Sequence, residues 1–459
     1  YAGVLAIGGT AGVGAAVAVN YILGDTKAYI DNATLKAAGT AGGVTVNNAI
    51  SDDKMNSGFI SDQSVNILYT LENQRTSSTK TGIVVDSSAT HTMKSFVANA
   101  AGAGSVALAG TVNVNQIDGN TNAYIKNATL NLGATPGDVS VNAADYTNCS
   151  GFVGSVGGAG TIGIGASSDT NKVRRNTSAK LEDIKTGSLA KAAVVNAVAK
   201  QGLSSVAAGL GVGGSAGIAG TVSVAMLSGA TEAVVSNSLL TADSLTVNAE
   251  HWAKTYVLDA TAAIGGYAGI GGAVAVNDIR DTVKSEVVDS TVQTTTDGVG
   301  AIQVKAKNYA LLNATSACVG GGFAGIAGNV SINYMQNEVT VSVKNSSLGT
   351  AAKRADSIVI KAENSSNIDS NIGAVAGGVI AAGASVGVNT LDGKVRTVVD
   401  GSSLYAKNNI DILADESRTV TQYAFTAAGG ALGLAGNVMY VAAGQVLSAT
   451  NEDGNKEIR

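Results

Sequence analysis

The stretch AGVGAAVAVN at residues 11–20 returns as AGIGGAVAVN at 268–277 and as AGIAGNVSIN at 324–333. Each copy is a glycine-rich lead-in followed by Val or Ile alternating with small or polar residues, closing on asparagine. Alternation with period two sends successive side chains to opposite faces of a β-strand. Looser copies are VALAGTVNVN (106–115), AGIAGTVSVA (216–225) and IAAGASVGVN (380–389); related runs end at Gly165 and Val441, and a copy without its glycines ends at Leu68. With ends at 20, 68, 115, 165, 225, 277, 333, 389 and 441, the pattern predicts about nine units of a repeat of roughly 53 residues.

Two further elements recur inside the unit. AYIDNATL from Ala28 returns as AYIKNATL from Ala123, AVVSNSLL from Ala233 and VSVKNSSL from Val341, each an alternating strand running into an Asn/Ser turn. VTVNNA from Val44 returns as VSVNAA from Val139, LTVNAE from Leu245 and IVIKAE from Ile358. Short strands at fixed spacing, with no sustained helical period, predict an all-β parallel β-helix, a β-solenoid, with residues 1–459 forming one continuous body. We take the helix as right-handed with about two coils per repeat, one large coil per repeat being the alternative. At about 4.8 Å per coil the two-coil form gives a rod on the order of 85 Å, and the one-coil form half of that.

Composition agrees with a thin repetitive core. Glycine is 59 of 459 residues and proline occurs once, at Pro136, which excludes collagen-like and Pro/Gly-disordered classes. A net charge of -5 with no basic stripe argues against a nucleic-acid partner. No long uncharged apolar run is present, so no transmembrane helix is expected. The sequence opens mid-pattern at Tyr1 without a leader, and is expected to be a fragment of a longer chain. Cys149 and Cys318 stand alone, too far apart along a solenoid to bridge.

Candidate functional residues are few. Asn20, Asn115, Asn277, Asn333 and Asn389 share one phase of the repeat, where stacked amides can hydrogen-bond from coil to coil as a structural ladder. The glycine runs imitate phosphate loops, but a strand follows where a phosphate loop needs a helix. His91 and His251 lie repeats apart, His251 beside Trp252 as a turn pair, so triads and histidine metal sites are not expected. Acids such as Asp31, Asp289 and Asp400 fall singly in equivalent turns. No cofactor, metal or catalytic residue is assigned, and the chain is read as a non-enzyme. A glycan-processing β-helix enzyme would instead need a surface cleft of Asp with Lys or Arg. The least repetitive stretch, 167–189, gathers Lys172, Arg174, Arg175 and Lys180 and is expected to be a loop on one face, a solvated loop by default, with an interaction loop for a receptor or glycan as the sharper reading. Asn-x-Ser/Thr triplets at Asn32, Asn127, Asn148, Asn176, Asn313, Asn329, Asn345 and Asn364 are attributed to composition.

Through AGIGGAVAVND (268–278), DTKAYIDNATLKA (25–37) and DSLTVNAE (243–250), the chain resembles leukotoxin-type filamentous adhesins of Gram-negative bacteria and, more loosely, filamentous haemagglutinin-like proteins. The resemblance implies a β-helical stalk carried through the outer membrane by a β-barrel translocator outside this chain, in the manner of type V secretion. It implies display at the bacterial cell surface and attachment to a host-cell or bacterial surface receptor or glycan. Unpaired edges at the ends of a rod also invite self-association into an extracellular filament or matrix.

Overall fold

The computed structural model of the chain describes residues 1–37, 42–48, 76–132, 137–186, 190–444, 448–450 and 456–458. Among these the architecture is all-β, a β-solenoid of parallel strands without a helix. Two long ladders build it. The first sheet stacks Ala2–Gly8, Gly82–Ala103, Asp138–Ala159, Ala190–Gly213, the latter part of Leu239–Gly265, Ala301–Gly321, Ser357–Gly377 and Ile410–Gly429. The second stacks Ala11–Leu23, Val106–Asn131, Ile162–Thr186, Ala216–Ser236, Ala268–Val288, Ala324–Lys344, Ile380–Asp400 and Leu432–Ala443. Each sheet thus has eight rungs among the described residues, every one parallel to the next.

One coil occupies one repeat, not two. The elements that the sequence divides into separate strands are one: Val106–Asn131 contains both VALAGTVNVN and AYIKNATL, because the ladder continues through Asp118, Gly119 and Asn120. At about 4.8 Å per rung the rod is therefore about half the length of the two-coil form. Cys149 and Cys318, both buried and free, lie three rungs apart, about 14 Å along the axis, in different columns of the first sheet.

The phase differs from the sequence reading at two units. Asn115 pairs with Asn171, while Gly165 pairs with Ala109, so the glycine-rich copy ending at Gly165 was placed six residues early. The 60-residue spacing between the ends at 165 and 225 therefore disappears: Asn115 pairs with Asn171 across 56 residues, Asn171 pairs with Ala225, and no insertion separates the rungs. Asn20 pairs directly with Asn115 across 95 residues, so no rung ending at Leu68 lies between them. Leu68 itself is outside the described residues. At the base of this excursion Val44–Asn48 and Thr76–Lys80 pair antiparallel.

Two turns fix the cross-section. At the narrow edge the chain passes from first to second sheet through Gly9, Gly104, Gly160, Gly214, Gly266, Gly322, Gly378 and Gly430. A Cβ on Gly160 would sit 2.2 Å from the Gly104 carbonyl oxygen, which excludes any side chain at this tight stack. At the far end of the second sheet, Asn32, Asn127, Asp183, Asn237, Asp289 and Asn345 adopt φ between 48° and 55°, with Gly401 at 56°. Asn and Asp tolerate this left-handed conformation better than other side chains. Asp289 belongs to this row, whereas Asp31 and Asp400 precede it by one residue, so the three acids are not equivalent. Just beyond, Ser238, Ser290, Ser346 and Ser402 form a hydroxyl ladder: each backbone N–H of Ser238, Ser290 and Ser346 donates to the next Ser Oγ at 3.0–3.1 Å.

The interior widens from the glycine edge. Alanines such as Ala107, Ala109 and Ala101 fill the narrow end, and polar rows follow. An aliphatic band contains Ile117, Val173, Leu227, Ile279 and Met335. The broad end is packed by Ile125, Leu181, Val235, Val287 and Val343 with Val141, Val195, Val247, Val304 and Ile360 opposite. Hence the glycines permit close sheet approach where no larger side chain fits, and the branched residues fill the widest part.

Candidate functional site

The polar side chains with specific geometry lie inside the coil. Asn20 Nδ2 donates to Asn115 Oδ1 at 2.8 Å, and Asn115 Nδ2 to Asn171 Oδ1 at 2.7 Å. Farther along, Asn277 Nδ2 donates to Asn333 Oδ1 and Asn333 Nδ2 to Asn389 Oδ1, both at 2.7 Å. Asn171 is thus a ladder member that the sequence reading omitted through its phase error. Ala225 and Val441 occupy the same column and interrupt it. The interruption has a consequence at each end: buried Asn277 Oδ1 and Asn389 Nδ2 have no hydrogen-bond partner. A second ladder, unforeseen, runs along the outer side of the first sheet, where Asn142, Asn196 and Asn248 each donate to the rung before, beginning at Asp86. Its signal was the recurrent Asn in VSVNAA and LTVNAE.

Beside the inner ladder lies an acidic seam. Asp169 is buried and accepts from Asn113 Nδ2 (2.8 Å), Asn171 Nδ2 (2.7 Å) and Ser205 Oγ (2.6 Å). Burial raises its pKa to about 6 against the opposing pull of those three donors. Asp259 accepts from Ser223 Oγ at 2.7 Å, and burial lifts it to about 7, with the charge of Asp169 adding in the same sense. Deeper toward the broad end is a mixed seam. Arg175 and Asp145, both fully buried, pair at 2.7 Å; Asp145 also accepts from Thr121 and Thr147, and Arg175 donates to the Gly24 carbonyl. Gly119 makes room for this guanidinium, since a Cβ there would meet Arg175 Nη1 at 2.3 Å.

His251 continues the mixed seam. Its Nδ1 lies 3.0 Å from Thr231 Oγ1 and its Nε2 3.5 Å from Asp281 Oδ1. The distance is that of a long ion pair, but burial drives the histidine pKa down to about 4, which leaves the imidazole uncharged near pH 7, and burial raises the pKa of Asp281. His251 is not in a turn with Trp252: both lie in the strand Leu239–Gly265, with His251 inside and Trp252 on the other side of the sheet. There Trp252 stacks on Tyr309 at 4.8 Å, Lys307 sits 5.4 Å over the indole, and the indole N–H donates to Glu250. His91 is half-buried and its pKa is lowered, first by burial and then by the charge of Arg175.

The four basic residues expected in a loop are instead in the strand Ile162–Thr186. Strand alternation separates them. Arg175 points inward, while Arg174 pairs with Asp118 on the surface and Lys180 with Glu232 at 3.5 Å; Lys172 also faces outward. They are therefore not one basic patch. Among the Asn-x-Ser/Thr positions, Asn148, Asn329 and Asn364 are buried, whereas Asn32, Asn127, Asn176 and Asn345 are exposed.

The arrangement supplies cohesion between rungs. Asp and Arg come together at Asp145–Arg175, as acid/base chemistry on a glycan would ask, but inside the coil and already paired with each other. Among the described residues, no group of three or more His, Cys, Asp or Glu is placed to hold a metal. No protein-family model, curated protein or solved structure matches the chain.

Proposed function

We propose that the chain is a stalk segment of a secreted filamentous adhesin, a non-enzymatic body that holds a binding surface away from the bacterial cell and attaches it to a host or neighbouring cell. The observation that carries the reading is the register: strands of about 20 residues pair residue for residue from rung to rung, with side-chain ladders following the same columns. Such stacking makes each rung depend on its neighbours alone, so length can be added without a new core. Turns are tight at the glycine edge, where among the described residues a glycine and one further residue join the sheets on each rung. Placement at the cell surface, an outer-membrane translocator and a receptor or glycan partner follow from the adhesin resemblance.

Antibody raised against the chain tests the placement. It should label intact, unpermeabilised cells of the source organism, and beads coated with the chain should adhere to host cells or to sibling bacteria. Labelling that appears only after permeabilisation, with uncoated and coated beads adhering equally, would sink the proposal.

A further inference from the structure

The outer side of the second sheet, over the half nearest the glycine edge, carries five outward columns. They begin at Ala11, Val13, Ala15, Val17 and Val19 on the first rung and run through Ala268, Ile270, Gly272, Val274 and Val276 to Leu432, Leu434, Gly436, Val438 and Tyr440 on the last. Across all eight rungs these positions hold no Asp, Glu, Lys, Arg or His, and Ser168, Thr170 and Tyr440 are the sole hydroxyls. The side chains are not hidden: Val222, Ile270 and Ile326 are 41%, 42% and 45% exposed. Eight rungs by nine residues make a face of roughly 1,000 Å². A monomer seldom leaves so large a continuous apolar patch in water.

The relief of this face is specific. Its middle column is Ala15, Gly110, Ala166, Gly220, Gly272, Gly328, Ala384 and Gly436, flanked on one side mainly by Ile and Leu and on the other mainly by Val. Nothing inside the fold requires glycine there: a Cβ on Gly110, Gly272, Gly328 or Gly436 would meet no atom within 4 Å. This contrasts with Gly160, where a Cβ collides with backbone. Glycine in a strand interior costs conformational entropy, so a groove kept free of side chains without internal need is shaped for something outside.

We infer that this face is a self-association surface on which a second copy of the chain docks, the aliphatic ridges of each copy lying in the glycine–alanine groove of the other. Ridges beside a parallel groove are self-complementary under a two-fold axis, as in a dry interface between β-sheets. The area matches the roughly 800 Å² per partner of a standard interface. The border fits as well: beyond the columns lie Asp118 with Arg174 and Asp278 with Arg280, a polar rim of mixed sign. A lipid surface would instead be met by a rim rich in cations. The inference concerns one named face and stands whatever the rod carries.

Sedimentation velocity of the purified chain from about 1 to 100 µM tests it. The chain should pass from monomer to dimer, and the pair G272V/G328V, which fills the groove, should raise Kd by at least about 100-fold. The same variant should melt no lower than the parent, because valine suits an open strand position. V222E/V330E should abolish the dimer, whereas Val156→Glu, on the outer side of the first sheet, should leave it unchanged. A parent that is monomeric at 100 µM, or a dimer insensitive to both pairs, would overturn the inference. So would a monomer that floats with phosphatidylcholine vesicles and loses that flotation in V222E/V330E, which would assign the face to lipid.

Discussion

Two polar seams share the interior of the coil and treat charge in opposite ways. In the mixed seam Asp145 meets Arg175 at 2.7 Å, with threonine hydroxyls completing the carboxylate. In the acidic seam Asp169 and Asp259 have only hydroxyl and amide donors, and both are pushed up, to about 6 and about 7. A buried charge persists where an opposite charge and hydrogen bonds replace water; without the opposite charge the carboxyl tends to take a proton. The first seam is thus a fixed clasp, and the second is a site where cohesion between rungs depends on pH.

Breaking the clasp should have the largest effect. Arg175→Met leaves Asp145 buried without its counter-charge and should destabilise the chain by about 3–5 kcal/mol, read as a lowered denaturant midpoint. Arg174→Ser, one residue away on the outer side, should cost less than about 1 kcal/mol. If the two variants melted alike, the inward placement of Arg175 would be wrong.

The acidic seam is sharpened by pH. Asp169 and Asp259 have folded-state values above the roughly 3.9 of an unfolded aspartate, so their contribution is complete below about pH 4 and is lost as pH rises through 6 to 7. His251 has the opposite sign: lowered to about 4, its contribution is present above about pH 6.5 and is lost as pH falls through 4. The contribution of Asp259 should therefore rise on acidification from pH 8 to pH 6, while Lys200, lowered to about 7 chiefly by burial, opposes it over the same range. Asp259→Asn, which keeps an acceptor for Ser223, should raise Tm at pH 8 by a few degrees, a gain over the parent that shrinks toward pH 6 and so changes the slope of Tm against pH. An unchanged slope would remove Asp259 from the account.

The smallest effect belongs to the asparagine ladder. Asn389 Nδ2 lacks an acceptor because Val441 holds the next position of its column. Val441→Asn should supply one and stabilise by about 0.5–1 kcal/mol. A loss of stability would mean that the amide does not reach across the rungs.

Much of this was legible in the sequence. Alternation disclosed the strands, and the shared phase of Asn277, Asn333 and Asn389 disclosed a ladder, because stacked rungs repeat the same side chain at the same column. The coil size was not legible. A polar–glycine interruption such as Asp118–Gly119–Asn120 looks like a turn in one dimension, and only pairing with Arg174–Arg175–Asn176 shows that the ladder runs through it. Arg175 was hidden for another reason: its partner Asp145 lies on the opposite sheet, and a cluster of four basic residues reads as a surface. Parity carried the missing signal, since Arg175 shares the inward phase of Asn171 and Val173 whereas Lys172 and Arg174 do not. The apolar face escaped notice because alternation tells which residues share a side of a strand and not which side faces outward.

The central claim, one coil per repeat in the register Asn115 to Asn171, is tested most directly by disulfide trapping. Outward-facing Tyr124 and Lys180 are registered neighbours, about 4.8 Å apart between Cα atoms and within bridging range. Mild oxidation of Y124C/K180C should give a cross-link in high yield, detected by mass spectrometry of the bridged peptides, while Y124C/R174C should remain reduced. Two coils per repeat would hold 124 and 180 about 9.6 Å apart, beyond the limit for a bridge. Failure of Y124C/K180C to cross-link, or efficient cross-linking of Y124C/R174C, would contradict the account.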